Sequence, residues 1–518
     1  MERQNQNGKI QVNQITVNMI FSVIAFVLNL CISFFITPYI TAQFGSEAYG
    51  FVKLANDFTN YASLISIALN SMASRFLMLE RVQGNTRQAQ KYYSSIFLAN
   101  IALSALLMIP AVICVVYLEK FLEIPALLQT EVKLTFAITF ASFLLNLVFS
   151  THGNCYYLTN KLNIGSVREA VGNILRAASI LLLFVMATPR ISYVALGGAV
   201  AAVFVVVFNF VYNRKLIPEF RFRFADFDWE KLWSVLSAGI WNSITKLSQI
   251  FSSGLDLMVT NMLVGATEMG LLAVAKTVPN MITTFNATVG NVFSPNMMEL
   301  YARKDMAALQ KTAKAAMKFM CLFVTIPNAI LITMGQEFFT LWVPEQPARI
   351  LCILSVLTVI NSCVTGPLTP LYQLFTITNK VKQSSIILII YGFSSILVTF
   401  VCLKLTSLGV YAVAGVSLIG SLIVALCYHL PFSAIYIGLP WHTFFPEIGI
   451  SVITLVLQCV IGWGVHLTMD LQQSWAYWFG GAIIAAILGL GVSALLVLNK
   501  EEKHTLYGKV LSVVKRGK

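Results

Sequence analysis

Long apolar segments separated by short polar ones are the feature that most restricts what this chain can fold into. A helix needs about 20 predominantly apolar residues to cross the roughly 30 Å of hydrocarbon in a bilayer, and such segments recur along residues 15–498. Only 11% of the 518 residues are charged, whereas soluble domains average about 25%. The sequence therefore predicts an all-α polytopic membrane protein with about fourteen transmembrane helices.

Basic residues alternate between successive loops. Arg75, Arg81, Arg87 and Lys91 follow the second predicted span, whereas residues 39–48, after the first span, contain no Lys or Arg. The alternation continues along the chain, so most of the 35 Lys and Arg residues fall on one side of the membrane. The positive-inside rule then predicts that both termini are cytoplasmic, as an even number of spans requires. The basic loops are expected to bind anionic membrane lipids.

An internal repeat relates the two halves of the chain. A shift of 220 residues aligns Gly45 with Gly265 and Gly50 with Gly270, and each glycine pair lies in a loop that precedes a polar span. Parallel repeats of this kind are typical of transporters whose two lobes enclose a central cavity and expose it alternately. Coincidental glycine turns in an ordinary helical bundle are the alternative.

The repeat also predicts a domain organisation. We expect two pseudo-symmetric six-helix lobes around a central cavity, plus two extra C-terminal helices. The N-lobe, a basic cytoplasmic linker, the C-lobe, the two extra helices and a basic cytoplasmic tail are placed at residues 1–213, 214–231, 232–430, 431–498 and 499–518.

Three segments carry a resemblance to a known family. These are the opening span Asn18–Pro38, the turn from Phe44 to Gly50, and the stretch from Leu255 to Pro279. In the last stretch Asp256 is followed by an apolar run, a glycine turn and Lys276. With these motifs the chain, over nearly its whole length, resembles the Wzx-type polysaccharide (O-antigen) flippases of the multidrug/oligosaccharidyl-lipid/polysaccharide (MOP) exporter superfamily.

The resemblance implies an activity and a location. The expected function is to move polyprenyl-pyrophosphate-linked oligosaccharide from the inner to the outer leaflet of the bacterial cytoplasmic membrane, as a secondary transporter rather than an enzyme. The expected partners are this lipid-linked glycan, anionic lipids and other proteins of polysaccharide assembly. A nucleic-acid partner, a metal and a cofactor are not expected.

Charged residues inside the predicted spans are the candidate site residues, because each costs about 2.5 to 3.5 kcal/mol on insertion and usually faces a cavity or a partner. Arginine forks and lysines suit phosphate oxygens. We therefore predict that Lys246, Lys276 and Arg176 bind the pyrophosphate in a cationic cavity, with Arg75 at its cytoplasmic mouth.

Acidic and amide residues on the same spans have predicted roles as well. Asp57, Asp256 and Glu169 are candidates for cation coupling. The amides either contact sugar hydroxyls or bond helices together; they are Asn56, Asn60, Asn242, Gln249 and Asn280. The charges could instead neutralise one another, as Lys53 and Asp57 could within one helix.

Three other functions are alternatives. A peptidoglycan lipid-precursor flippase would bind the same pyrophosphate group. A cation-coupled multidrug antiporter of the same superfamily would be expected to have an acidic cavity and fewer spans. A membrane polysaccharide polymerase would need catalytic residues in a substantial loop, and the sequence has no such constellation.

Overall fold

The computed structural model describes residues 2–159, 161–290, 293–378 and 380–497, and these residues form helices and connecting loops with no β-strand among them. The predicted cytoplasmic tail at residues 499–518 lies outside the described residues. Contacts divide the chain into two compact units, which are described in turn as unit 1 and unit 2.

Unit 1 consists of the described residues within Met1–Ile250 and Leu257–Gly270. Its helices are α1 (Glu2–Asn70), α2 (Ala73–Val82), α3 (Thr86–Val116), α4 (Leu118–Phe121), α5 (Gln129–Phe149), α6 (Asn154–Leu158), α7 (Leu162–Met186), α8 (Ser192–Leu216) and α9 (Trp229–Gln249). A π-helical turn at Ile250–Gly254 follows α9. Helices α10 (Asp256–Leu263) and α11 (Ala266–Ala275) each have residues in both units.

Unit 2 consists of the described residues within Phe251–Asp256 and Leu271–Lys518. Its remaining helices are α12 (Thr277–Gly290), α13 (Ser294–Ala302), α14 (Met306–Trp342), α15 (Ala348–Val359), α16 (Ser362–Ile377), α17 (Val381–Leu405), α18 (Val410–Val424), α19 (Leu430–Ile435), α20 (Phe445–Thr468) and α21 (Trp475–Val497). The contacts place α9 in unit 1, whereas the sequence-based division begins the C-lobe at residue 232. The lobe boundaries expected from the sequence remain a prediction.

The chain is an all-α, multi-pass membrane protein. Among the described residues, 11 helical segments are long and apolar enough to cross a membrane. The first of them, Leu30–Val82, contains the predicted second span at residues 49–73 and the end of the predicted first span at residues 15–38. Two further spans are predicted at residues 232–262 and 270–295. Their described residues fall mainly on α9 to α12, which are interrupted by the π-helical turn and carry several charged residues. The described part of each of the roughly fourteen predicted spans lies mostly in helices.

The two copies of the repeat have the same backbone feature. Gly45 breaks α1 at a φ of 82°, and Gly265 separates α10 from α11 at a φ of 147°. Positive φ angles of this size favour glycine because it has no Cβ. The hydroxyl of Thr267 donates a hydrogen bond to Glu47 Oε1 at 2.5 Å, and these two residues are also 220 positions apart.

Each unit has its own packed interior. In unit 1, α8 packs against α5 and α7, and α1 packs against α7 and α9. In unit 2, α14 lies at the centre and contacts α15, α16, α20 and α21. The indole of Trp478 donates to the carbonyl of Met334, and Gln458 donates to Ser493. These bonds fasten α20 and α21, the two extra C-terminal helices, to unit 2 and to each other.

Candidate functional site

A polar cavity of about 380 Å³ lies inside unit 1, between α1, α5, α7 and α8. Its charged lining residues are Arg168, Glu169 and Arg176, all on α7. Its neutral polar lining residues are Asn56, Thr59, Thr139, Ser142, Asn146 and Asn173. Two arginines and one glutamate leave this lining with a positive formal charge, so the cavity favours an anion.

Arg176 is one of the two arginines in this lining. Its Nε atom is buried and has no hydrogen-bond partner among the described residues. Arg176, Asn56 and Asn173 also line an adjoining cavity of about 50 Å³, together with Lys53 from α1. Two cationic side chains from neighbouring helices thus border the same space. Buried polar groups almost always find a partner, so an unpaired guanidinium nitrogen marks a place where a ligand could bind.

Arg168 also has a buried Nε atom without a hydrogen-bond partner among the described residues, but protein groups hold the rest of its guanidinium. Its Nη1 donates to Asn209 Oδ1 at 2.8 Å, and its guanidinium lies over the ring of Tyr156, 5.5 Å from the centroid. The hydroxyl of Tyr156 donates to the same oxygen of Asn209. These contacts fix the orientation of Arg168 at one end of the cavity lining.

A second polar cavity, of about 450 Å³, lies inside unit 2. Lys276 and Asp256 face it and form an ion pair, with Lys276 Nζ 2.8 Å from Asp256 Oδ2. Their side chains are only 13% and 19% exposed. Ser417 donates to the other carboxylate oxygen at 3.4 Å. The two residues are 20 positions apart, and the chain between them contains the positive-φ residue Gly265.

No family model matches the chain. The uncharacterized membrane protein EpsK of Bacillus subtilis (strain 168) is 27% identical over 496 residues, which cover 94% of this chain and 96% of EpsK. The lipid II flippase MurJ in an inward closed conformation matches at a TM-score of 0.67 with 16% identity, over 92% of this chain and 98% of MurJ. An inward-facing multidrug resistance MATE family transporter of the MOP superfamily matches at 0.58 with 13% identity, over 82% of this chain and 98% of the transporter.

The chain has the MOP superfamily fold. The two structures cover 92% and 82% of this chain, so the likeness in fold includes both halves of it. At this level of identity the likeness concerns the fold.

Within the MOP fold, the predicted site residues fall into three groups. Arg176, Glu169 and Asn56 line the unit 1 cavity, and Lys276, Asp256 and Asn280 line the unit 2 cavity. Six others are outside the linings of these two cavities: Lys246, Arg75, Asp57, Asn60, Asn242 and Gln249. Of these, Asn242 donates to Ser71 at 3.0 Å, which is a bond between helices. The roles predicted for all of them stay predictions.

Several cavity residues were missed by the sequence reasoning. In unit 1 these include Arg168, Asn146 and Asn173, and in unit 2 they include Asn361 and Tyr372. Arg168 and Asn173 are polar residues inside an apolar segment, so the signal that identified Arg176 applied to them too. Tyr372 carried no such signal, because a tyrosine in an apolar span is common in any membrane helix.

Proposed function

We propose that this MOP-fold protein is a Wzx-type flippase of the bacterial cytoplasmic membrane. It moves polyprenyl-pyrophosphate-linked oligosaccharide from the inner to the outer leaflet by alternating access, and it does so as a secondary transporter with cytoplasmic termini. The observation that carries the proposal is the cationic cavity of unit 1, with the unpaired nitrogen of Arg176 in its lining.

The charge of the ligand follows from the charge of this cavity. A pyrophosphate diester is doubly negative and needs several positive or hydrogen-bonding partners once water is removed. Arg176 offers a planar fork of donors, which binds phosphate oxygens in pairs. Lys53, Asn56 and Asn173 border the same space and add a second cation and two amides. A cationic drug would meet repulsion here.

The fold supports a lipid-linked substrate. MurJ, whose fold this chain shares, is a lipid II flippase. A second candidate function is therefore flipping of a peptidoglycan lipid precursor. The TM-score favours it, because it is 0.67 for MurJ and 0.58 for the MATE transporter. The basic unit 1 cavity argues against a multidrug antiporter.

The remaining predicted residues take secondary roles in the proposal. Lys246 and Arg75 are assigned to the path of the pyrophosphate, as the sequence predicts. Among the acidic candidates for cation coupling, Asp256 is neutralised by Lys276, so we assign coupling to Glu169, which faces the unit 1 cavity, or to Asp57. Anionic lipids and other polysaccharide-assembly proteins are the proposed partners.

Transbilayer movement in proteoliposomes tests this function. The purified full-length chain is reconstituted with polyprenyl-pyrophosphate oligosaccharide from a polysaccharide-producing host, and exposure of the glycan to an external glycosidase is followed with time. Arg176→Gln should reduce the initial rate by at least about tenfold, as expected for loss of a charge-assisted bond of about 1.5 kcal/mol or more.

The matched control is Arg190→Gln. Arg190 is more than half exposed and contacts Glu131 at 3.8 Å. The Arg190→Gln variant should therefore move the glycan at the wild-type rate. Wild-type protein that leaves the glycan protected, yet exports a cationic dye against an ion gradient, would overturn the proposal in favour of the antiporter. Movement of lipid II alone would favour the peptidoglycan-precursor flippase.

A further inference from the structure

The unit 2 cavity differs in charge from the unit 1 cavity. Its described lining contains one lysine and one aspartate, and these form the ion pair between Lys276 and Asp256. The two formal charges cancel, so the cavity offers no net attraction to a phosphate. Its other polar lining residues include Asn280, Asn286, Asn361, Thr365, Thr369 and Tyr372. A lining of this kind suits a neutral ligand that is rich in hydrogen-bonding groups.

Asn286 points to a ligand at this place. This residue is only 4% exposed and lines the cavity, and its Oδ1 atom accepts no hydrogen bond from the described residues. Asn361, another amide in the lining, is already engaged, because it donates to Ser421 at 2.8 Å. A buried carbonyl oxygen without a donor is unusual in a folded protein, and a ligand hydroxyl would supply that donor.

Aromatic rings form another part of the lining. The rings of Tyr372 and His429 have centroids 4.9 Å apart and meet at 72°, and both residues line the cavity. Tyr391 adds a third ring, with its hydroxyl donating to the carbonyl of Ser417. A sugar has apolar C–H faces as well as hydroxyls, so it matches a surface that combines ring faces with amides. The volume of about 450 Å³ lies within the range of small-molecule sites, about 300 to 1,000 Å³.

We infer that the unit 2 cavity is a saccharide-binding site, which takes a sugar of the transported glycan while the pyrophosphate binds elsewhere in the protein. Asn286 accepts a hydrogen bond from a sugar hydroxyl, and Asn280 offers a further polar contact. The hydroxyl of Thr365, which donates to the carbonyl of Asn361 at 3.2 Å, acts as an acceptor for the sugar. The Lys276–Asp256 pair presents a fixed donor and a fixed acceptor to the hydroxyls. This inference rests on the proposed function, because the substrate must carry a glycan.

Competition between two lipids separates this site from the pyrophosphate site. The detergent-purified full-length chain receives an equimolar mixture of polyprenyl pyrophosphate with and without glycan, and native mass spectrometry measures the ratio of the bound lipids. The wild type should prefer the glycan-bearing lipid. Asn286→Leu and the near-isosteric Thr365→Val should each reduce this preference by about fivefold, the value for one hydrogen bond, without weakening binding of the glycan-free lipid.

Binding of the glycan-free lipid reports that each variant is folded. The matched control is Asn85→Leu, in the loop between α2 and α3, which should keep the wild-type preference for the glycan-bearing lipid. An unchanged preference in both Asn286→Leu and Thr365→Val overturns the saccharide site and leaves the proposed function standing. If Asn286→Leu binds neither lipid, Thr365→Val decides by the same criterion. A wild type that binds neither lipid overturns the proposed function, and the saccharide site with it.

Discussion

Gly50 and Gly270, which occupy equivalent positions in the two copies of the internal repeat, lie in direct contact in unit 1. A Cβ atom built on Gly50 would be 2.9 Å from the Cα of Gly270, and one built on Gly270 would be 2.5 Å from the backbone carbon of Ser46. The repeat seen in the sequence is therefore also a contact in the structure, and both glycines are required by the close approach of two backbones.

Gly270→Ala should destabilise the protein, because the new methyl group meets backbone atoms that cannot rotate away. Overpacking of this kind typically costs about 1 to 3 kcal/mol. Thermal unfolding in detergent measures the effect. The control is Gly449→Ala on α20, where an added Cβ meets no atom within 4 Å, and which should unfold at the wild-type temperature or above it. Equal unfolding temperatures for the two variants would show that the close contact is absent.

Asn261→Ala should also destabilise unit 1. The fully buried side chain of Asn261 accepts a hydrogen bond from the backbone N–H of Glu123 at 2.9 Å and donates to the carbonyl of Glu123 at 3.1 Å. Removing the amide breaks both hydrogen bonds, at a net cost of about 0.5 to 1.5 kcal/mol each, because Glu123 is exposed and water replaces the lost partners. Limited proteolysis of the segment after α4 reports the change, and wild-type resistance would contradict it.

The ion pair between Lys276 and Asp256 predicts non-additive substitutions. Lys276→Gln or Asp256→Asn alone leaves one partly buried charge uncompensated, which should cost about 3 kcal/mol of stability. The double variant removes both charges and should recover most of that loss. Thermal unfolding of the wild type, both single variants and the double variant forms the cycle. Additive losses in the double variant would mean that the two side chains do not interact.

Asp228 predicts a pH dependence outside the spans. The hydrogen bond from Lys91 at 3.0 Å, followed by the backbone N–H groups of Lys231 and Glu230, lowers the pKa of Asp228 below its usual value. A lowered folded-state pKa adds stability above the unfolded-state pKa, and this stability is lost as the pH falls through the folded-state value. Asp228→Asn keeps the cap of α9 but removes the charge, so it should be less stable than the wild type at pH 7.

The difference between Asp228→Asn and the wild type should shrink as the pH falls below about 4, where an aspartate begins to be protonated. Unfolding temperatures measured from pH 7 to pH 3 check this. A difference that stays constant over the whole range would mean that the charge of Asp228 contributes nothing to folding.

Much of the fold was predictable because lipid imposes strong rules on a sequence. Length, hydropathy and the glycine repeat predicted an all-α fold of two related halves, and the repeat reappears as positive φ angles at Gly45 and Gly265. The sequence did not predict the π-helical turn at Ile250–Gly254, which lies between α9 and α10. Such a turn depends on packing against neighbouring helices.

The site was predictable only in part. Apolar context identified Arg176, Lys276 and Asp256 as charges at membrane depth, and each lines a polar cavity. The sequence could not predict that Lys276 pairs with Asp256. Which side chains meet between two helices depends on how each helix is rotated about its own axis. The division of the candidates between two cavities follows from the same rotations.

The most direct test of the central claim is native mass spectrometry of the protein gently extracted from its own host membrane. The proposed function predicts a bound polyprenyl-pyrophosphate glycan on the wild type and on Arg190→Gln, and its loss from Arg176→Gln. A bound cationic amphiphile on the wild type, with no pyrophosphate lipid, would contradict the claim.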